Sequence, residues 1–173
     1  MSQFFQIHPE NPQAHLVKQA VEIIQKGGLV VLPTDCAYIL VCHIGDKSAM
    51  ERVKTLRELD DKHNYTLVCR DLSELSNYAK VDNATYRQLK HNTPGAFTFI
   101  LDATKEVPKR LIQPKKKTIG MRVPDNAILL AILEEFNEHL MSPSLIMPGE
   151  DQPLSDTYDI RQTLTPSLYL VLD

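Results

Sequence analysis

The feature that most constrains the fold is a regular alternation between short apolar runs and longer segments in which apolar residues recur every three or four positions. The short runs have the composition of buried strands, and the longer segments have the period of helices with one apolar face. Gly27, Pro33 and Pro94 stand between such segments, where they end an element or begin a turn. This alternation predicts a mixed β-sheet covered by helices, with antiparallel hairpins among the strands.

The clearest helix lies in residues 11–28, with the sequence NPQAHLVKQAVEIIQKGG. Asn11 is expected to be its N-cap, Pro12 its first helical residue and Gly27 its end. Further helices are predicted from Asp46, as cap, to about Leu59, in 71–79 and 82–92 with Asp71 and Asp82 as candidate caps, and in 125–137 and 156–164. Strands are predicted at 4–7, 29–32, 37–42, 65–69, 96–101, 118–123, 140–147 (interrupted by Pro143) and 168–173.

The composition fits one globular domain of 173 residues, of which 43% are hydrophobic. Its longest apolar stretches fall far short of the ~20 residues that span a bilayer, and the first residues lack the pattern of a signal peptide. We therefore expect a cytoplasmic protein that does not enter a membrane. Three cysteines and six histidines show no zinc-ligand spacing, so no metal site is expected and the thiols are expected to be reduced.

Charge is distributed unevenly along the chain, although the net charge is only −3. Residues 1–122 contain 18 of the 19 Lys and Arg, and residues 123–173 contain nine acids and the single base Arg161. The densest basic stretch is 105–122, which includes the run Lys115, Lys116 and Lys117. Such a cluster is usually a solvated loop, but it also attracts phosphate or nucleic acid.

Polar residues that capping does not explain gather where the predicted strands end. Ligands of open α/β sheets bind at such ends, provided that the ends lie together in space. The alternative is ordinary turn chemistry at each position, and for Cys36 a small buried residue is favoured over a nucleophile because no partner signature accompanies it. The positions are Thr34, Asp35, Cys36, Tyr38, Thr93 to Thr98, Arg122, Ser142 and Ser144.

Several motifs occur together in a recognisable order: PTDCAYIL at 33–40, a helix with Lys54 and Arg57, TPGAFTFIL at 93–101, TIGMRVPDN at 118–126 and SPSLIMPG at 142–149. In this order and spacing they resemble the YrdC/YciO family, which includes the threonylcarbamoyl-AMP synthases. The resemblance covers essentially the whole chain and is closest to the YciO branch. It implies an α+β fold of three layers, a YrdC-like twisted mixed sheet flanked by helices with a concave basic groove.

The resemblance also implies chemistry, because the synthases join threonine, bicarbonate and ATP into threonylcarbamoyl-AMP for the modification of tRNA adenosine 37. Such a nucleotidyltransferase needs ATP with Mg²⁺ as substrate and no bound cofactor, and its catalysis rests on positioning and charge stabilisation. By position in the motifs, Arg57 would be catalytic. Thr34, Tyr38, Arg122 and Ser144 would bind substrate. Nucleotide or RNA would contact Lys54, Thr98, Lys115, Lys116 and Lys117.

Departures from the family pattern are as informative as the matches. The first basic position of the KxR motif is Thr55, and Lys54 points about 100° away from it around a helix. The Asn of the SxN motif is Ile146, an apolar side chain that cannot hydrogen-bond a nucleotide. Ile39 and Val41 stand where related chains have Gly, so they should narrow any cavity that they face.

The single domain over 1–173 is expected to lack the last strands of the family, and three functions remain open. The first is a threonylcarbamoyl-AMP synthase or a weak relative, with ATP, L-threonine and bicarbonate as its ligands. The second is a non-catalytic protein that binds double-stranded RNA or tRNA through its basic groove. The third is a structural relic of the fold with a narrowed pocket. Oligomeric state is left open.

Overall fold

The computed structural model describes residues 3–34, 38–57, 65–73, 75–142 and 170–172, with only the backbone for Arg57 and for 170–172. Five α-helices lie in these ranges: α1 Ala14–Gln25, α2 Lys47–Arg57, α3 Leu75–Tyr78, α4 Asn83–Asn92 and α5 Ala127–Phe136, with one 3₁₀ turn at Lys109–Leu111. The strands are β1 Gln3–Phe5, β2 Val30–Pro33, β3 Tyr38–His43, β4 Thr66–Val68, β5 Ala79–Lys80, β6 Phe99–Ala103, β7 Thr118–Arg122, β8 Leu140–Ser142 and β9 Leu170–Leu172.

These strands form one mixed sheet in the order β1-β9-β2-β3-β8-β4-β7-β6-β5. The pairs β1/β9, β2/β9 and β4/β7 are parallel, and the other described pairs are antiparallel. Consecutive strands pair antiparallel at β2/β3 and β6/β7, and also at β5/β6, where α4 lies between the two strands in the chain. The predicted mixed sheet with hairpins is confirmed.

Two hydrophobic layers cover the sheet because side chains on a strand alternate between its faces. On one face, the α1/α5 face, α1 and α5 bury residues such as Ile24 and Ile132 against Val30, Val41 and Val68. On the other, the α2 face, the core receives Val53 of α2, Leu75 of α3, Leu89 of α4 and Leu111 of the 3₁₀ turn. The three-layer α+β architecture expected from the sequence is thereby confirmed.

Helix α1 begins later than predicted. Its N-cap is Gln13, which makes no side-chain capping bond, so the assignments of Asn11 as cap and Pro12 as first helical residue are wrong. The backbone N–H of Asn11 donates instead to His8 Nδ1 at 3.0 Å, and His8 N–H donates to Gln13 Oε1 at 2.9 Å. This local turn engages the residues that would otherwise have formed the first helical turn. The predicted end is confirmed, because the helix ends at Gln25 and Gly27, with a φ of 86°, follows the C-cap Lys26.

Side-chain caps fix two other helices where the sequence indicated them. Ala49 N–H donates to Asp46 Oδ1 at 2.8 Å at the start of α2, and Thr85 N–H donates to Asp82 Oδ1 at 2.7 Å at the start of α4. Asp71 does not cap a helix. Its carboxylate accepts from Ser73 N–H at 2.9 Å in a turn before α3, and the hydrogen bonds with Ser73 hold the pKa of Asp71 below its usual value.

Several predictions lie outside the described residues: the helix at 156–164, the part of the 140–147 strand beyond Ser142, and Asp35, Cys36, Ser144 and Ile146. In the described part of the chain, no helix is both long and apolar enough to cross a membrane.

Candidate functional site

The β2–β3 hairpin positions the segment that most resembles a ligand site. Val31, Leu32 and Pro33 pair with Leu40, Ile39 and Tyr38 in antiparallel register. Thr34 leaves the hairpin directly after Pro33, so the Thr34 backbone lies beside the start of β3, and both Thr34 and Tyr38 are half-buried. The Tyr38 ring packs against the core of the α2 face. Two predicted substrate-binding residues are therefore neighbours.

Ile39 and Val41 do not line an open groove in this structure. Both are buried in the layer beneath α1 and α5, where Ile39 is 5% exposed and Val41 fully buried. They alternate with Tyr38 and Leu40, which face the opposite layer. The expectation that these branched side chains narrow a pocket is thus replaced by a core role, because strand alternation turns them toward the helices.

Helix α2 carries the residues that correspond to the basic motif. The hydroxyl of Thr55, at the first basic position, donates to the Glu51 carbonyl at 3.0 Å and so bonds back to its own helix. Lys54 is half-buried on a different side of the helix. Arg57 is the last helical residue, and its neighbour Leu56 packs on the same core cluster as Tyr38. The backbone of Arg57 therefore lies on the face where Tyr38 packs.

A row of small and hydroxyl residues crosses the middle of the sheet, and sequence reasoning did not single it out. Ser142 of β8 pairs with Thr66 of β4, Thr66 pairs with Gly120 of β7, and Gly120 pairs with Ile100 of β6. Paired residues point to the same face. A Cβ added to Gly120 would lie 2.7 Å from Thr66 Oγ1, so the hydroxyl occupies the space that only a glycine leaves. An isolated glycine inside a strand is the signal that could have indicated this close approach.

This row runs from the covered to the open part of the α1/α5 face. Ser142 is buried, Thr66 is half-buried and Ile100 is 52% exposed. Helices α1 and α5 contribute to the core over β2, β3, β4 and β8, and no residue of β6 or β7 belongs to their buried cluster. On this face, Ile100 and Asp102 of β6 are exposed, whereas Gly120 and Arg122 of β7 are buried.

Arg122 is the last residue of β7. It is only 7% exposed, its carbonyl accepts from Cys69 N–H at 2.9 Å, and it pairs with Val68. Thr98 precedes Phe99, which pairs with Met121, so the Thr98 backbone comes beside Arg122. Gly95 N–H donates to the Val123 carbonyl at 2.9 Å and holds the 93–98 segment against the same strand end.

The registers separate these two groups of residues. Strands β3, β4 and β7 run in one direction, and Cys42, Met141, Leu67 and Met121 form a single row across the sheet. Tyr38 precedes Cys42 by four residues, whereas Arg122 follows Met121. At about 3.3 Å per residue and 4.8 Å per strand, Tyr38 and Arg122 are roughly 17 Å apart along the strands and about 14 Å apart across them.

We give names to the two opposite ends of the central strands, and use 'edge' for the border of the sheet at each end. The hairpin edge lies where β3 and β7 begin and contains Thr34, Tyr38, Lys117 and Thr118. The arginine edge contains Arg122 and Thr98. The residues predicted from motifs to share one site are thus distributed over two edges.

The turn before β7 displays the three predicted lysines at the level of the hairpin edge. Lys115, Lys116 and Lys117 are exposed. The buried Gln113 holds the turn together: its side-chain oxygen accepts from Lys116 N–H, and its backbone carbonyl accepts from Lys117 N–H at 2.8 Å. Lys117 adopts a left-handed backbone with a φ of 58°.

Reactive thiol and metal chemistry find little support in the described residues. Burial raises the pKa of the Cys42 thiol to about 12, so the thiolate that would act as nucleophile does not form near neutral pH. Cys69 is also buried, and both cysteines are free thiols. Within ranges 3–34, 38–57, 65–73 and 75–142, no group of three or more His, Cys, Asp or Glu side chains could hold a metal ion.

The family model for Sua5, YciO and YrdC proteins, described as telomere recombination, matches residues 22–173. The chain belongs to this family. It is 56% identical to the uncharacterized protein YciO of Escherichia coli K12 over 99% of this chain and 84% of that protein, and the E. coli YciO crystal structure superposes with a TM-score of 0.96.

More distant members are similar to the chain as well. A threonylcarbamoyl-AMP synthase of Nitrosococcus oceani is 28% identical over 90% of this chain and 84% of that protein. The P. abyssi Sua5 structure complexed with L-threonine has a TM-score of 0.89 at 20% identity, over 99% of this chain and 50% of that chain. The predicted family and the predicted nearness to YciO are confirmed.

Proposed function

We propose that this protein is a threonylcarbamoyl-AMP synthase-like enzyme that binds ATP and L-threonine at the hairpin edge and turns them over slowly. The observation that carries the proposal is the β2–β3 hairpin, in which Thr34 and Tyr38 are neighbours and Tyr38 shares a core face with α2. It is supported by the likeness of the chain to synthases and to a Sua5 protein crystallised with L-threonine.

The chemistry asks for polar groups on the amino acid and cations on the phosphates. The threonine amine is carboxylated by bicarbonate, with loss of water. An oxygen of the resulting carbamate bonds to the α-phosphorus of ATP, and the bond to the β-phosphate breaks to release pyrophosphate. Thr34 and Tyr38 supply hydroxyls for threonine, and Arg57 supplies charge for the phosphates. Mg²⁺ would arrive with ATP as part of the substrate.

The low rate follows from Thr55, which occupies the first basic position of the KxR motif. Thr55 carries no charge, and its hydroxyl is engaged by the Glu51 carbonyl, so one of two expected cations is absent. Loss of a preorganised charge from a phosphoryl-type transition state commonly costs 10²-fold to 10³-fold in rate. Binding survives such a loss better than turnover, because the missing group stabilises mainly the transition state.

The test is pyrophosphate release at high protein concentration, measured with and without threonine. Release above the no-protein control that requires threonine, bicarbonate and ATP together supports the proposal. Tyr38→Phe and Arg57→Ala should each lower it at least tenfold. The matched control is Arg87→Ala on exposed α4, whose Nε donates only to the Asn83 carbonyl at 3.2 Å. Release that is independent of threonine, or equal in all variants, would refute the assignment.

A second candidate function is binding of double-stranded RNA or tRNA, with or without catalysis. The exposed lysines of the 114–117 turn favour it, because ammonium groups neutralise phosphates. Duplex RNA affinity should fall steeply with salt, and Lys115→Glu combined with Lys116→Glu should reduce both the affinity and the salt slope. An affinity that does not respond to salt would exclude this mode of binding.

The third possibility, a structural relic with a filled pocket, is weakened because Ile39 and Val41, two of the residues expected to narrow the pocket, are buried in the core beneath α1 and α5.

A further inference from the structure

A groove lies beside the outer strands β5 and β6, away from the hairpin and from Arg122. It encloses about 1130 Å³. Its wall begins at α3, passes the paired strands β5 and β6 and the 104–109 loop, and ends at the turn before β7. Its lining residues fall into three kinds: the lysines Lys80, Lys105, Lys109 and Lys117; the aliphatic residues Ala103, Val107, Ile112 and Pro114; and Ser76, Asn77, Thr104 and Glu106.

The charge of this lining is opposite to that of the chain. Four lysines and one glutamate line the groove, whereas the whole protein has a net charge of −3. Within the described part of the chain, none of these four ammonium groups forms an ion pair; Asp102, the cross-strand partner of Lys80, does not reach it. Clustered positive charges without counter-charges repel one another and produce a positive potential in the groove, which attracts anions.

The protein holds one of these lysines in an unfavourable backbone conformation. Lys117 has a φ of 58°, a region that a residue with a Cβ rarely adopts. The conformation is fixed from both sides, because Lys117 N–H donates to the Gln113 carbonyl at 2.8 Å and the Lys117 carbonyl accepts from Ala103 N–H at 2.9 Å. The turn therefore supplies a lysine at a position where glycine would be less strained.

The lining chemistry distinguishes between possible anions. A groove for single-stranded nucleic acid uses Arg or aromatic side chains to stack on bases, and this lining has neither. Its floor is aliphatic instead, which suits apolar side chains carried between acidic ones. The volume exceeds the roughly 300–1,000 Å³ of drug-sized ligand sites, which favours an extended segment over a single metabolite.

We propose that this groove binds an acidic peptide segment of a partner protein, with aliphatic side chains on Ala103, Ile112 and Pro114 and carboxylates on the four lysines. The groove shares only Lys117 with the hairpin edge, and the inference does not depend on the synthase activity. The groove would let the protein be recruited by a partner while the hairpin edge stays open to small substrates.

Fluorescence anisotropy with a labelled twelve-residue peptide of alternating Glu and Leu tests the proposal. Saturable binding should weaken steeply as salt rises from 50 to 300 mM. Lys105→Glu combined with Lys109→Glu should weaken it at least tenfold, whereas the control pair Lys18→Glu and Lys47→Glu, on exposed positions of α1 and α2, should change it less than twofold. A Glu–Ser peptide of equal charge should bind several-fold more weakly.

Two further arms keep the result interpretable. Lys117→Gly should weaken peptide binding without lowering the melting temperature, because glycine accepts the left-handed backbone. A 16-base-pair RNA duplex serves as the competing ligand. No peptide binding, equal binding of the Glu–Ser peptide, or duplex binding that is tighter than peptide binding and lost in the Lys105/Lys109 variant would each overturn the proposal.

Discussion

The two edges of the sheet differ in what they can offer a ligand. The hairpin edge combines half-buried Thr34 and Tyr38 with exposed Lys117, so polar groups remain accessible there. At the arginine edge Arg122 is 7% exposed and its strand end is bonded to Cys69. A motif that contains an arginine does not by itself locate a ligand site. This difference in burial is the reason that we propose binding at the first edge and a structural role for Arg122 at the second.

Strand direction explains why the motifs separate. β2 ends where β3 begins, because the two form an antiparallel hairpin, so Thr34 lies at the start of the parallel-running β3 and β7. Arg122 lies at the end of β7. In a mixed sheet, residues that end two strands can therefore lie at opposite edges.

The largest effect is expected from Arg122→Ala at the arginine edge. The substitution empties a buried position, and large buried side chains replaced by Ala commonly cost about 2–4 kcal/mol in the free energy of unfolding. Urea denaturation measures this loss. Threonine affinity, measured on the folded fraction, should change less than threefold. A stable variant that has lost threonine binding would move the site to this edge.

A smaller stability loss is expected from Gly120→Ala in the row that separates the edges. The new Cβ would lie 2.7 Å from Thr66 Oγ1 and 3.0 Å from the Tyr65 carbonyl oxygen. Overpacking of this kind costs about 1–3 kcal/mol. Thr66→Ala in the same chain should recover part of the loss, since it removes the nearer atom. Full additivity of the two changes, measured by denaturation, would show that this contact is not the cause.

Removal of the α5 cap next to the arginine edge should have a lesser effect. Leu129 N–H donates to Asn126 Oδ1 at 3.1 Å, and loss of an N-cap side chain costs about 1 kcal/mol. Asn126→Ala should lower the urea midpoint, and Asn126→Ser should retain most of it. Both variants should release pyrophosphate at the unaltered rate, because α5 packs on the face of the sheet opposite to Tyr38. Equal midpoints in the two variants would argue that the cap contributes nothing.

Alkaline pH should lower the free energy of unfolding through Cys42, a buried core residue that belongs to neither edge. Burial raises the pKa of Cys42 from 9.0 to about 12, so the folded state disfavours the thiolate. The stability contributed by the neutral thiol is complete below pH 9 and is lost as pH rises from 9 to 12. Cys42→Ala should flatten this part of the profile of unfolding free energy against pH. A wild-type slope retained in the variant would assign the effect to other groups.

Local chemistry made much of this fold predictable. Apolar periodicity located α1, α2 and α5, and Asp46, Asp82 and Gly27 marked helix ends through bonds within a few residues. The start of α1 was missed because His8 binds the backbone of Asn11, a contact that no propensity rule contains. Asn11 thus failed as a cap for a local reason.

The site was less predictable because it depends on long-range register. Whether Ile39 faces a groove or a core is decided by its pairing with Leu32 and by the helices above that face. Whether Tyr38 and Arg122 meet is decided by three intervening strand pairings. Family motifs named the candidate residues as one set, and the strand registers place Tyr38 and Arg122 at opposite ends of the central strands.

The most direct test of the central claim is an amide NMR titration of the ¹⁵N-labelled protein with L-threonine and a non-hydrolysable ATP analogue. The account predicts that the shifts concentrate at the hairpin edge, at Thr34, Tyr38 and Lys117, and that Thr98, Arg122 and Val123 stay within the noise. Shifts concentrated at Arg122 and Thr98, with the hairpin silent, would contradict it.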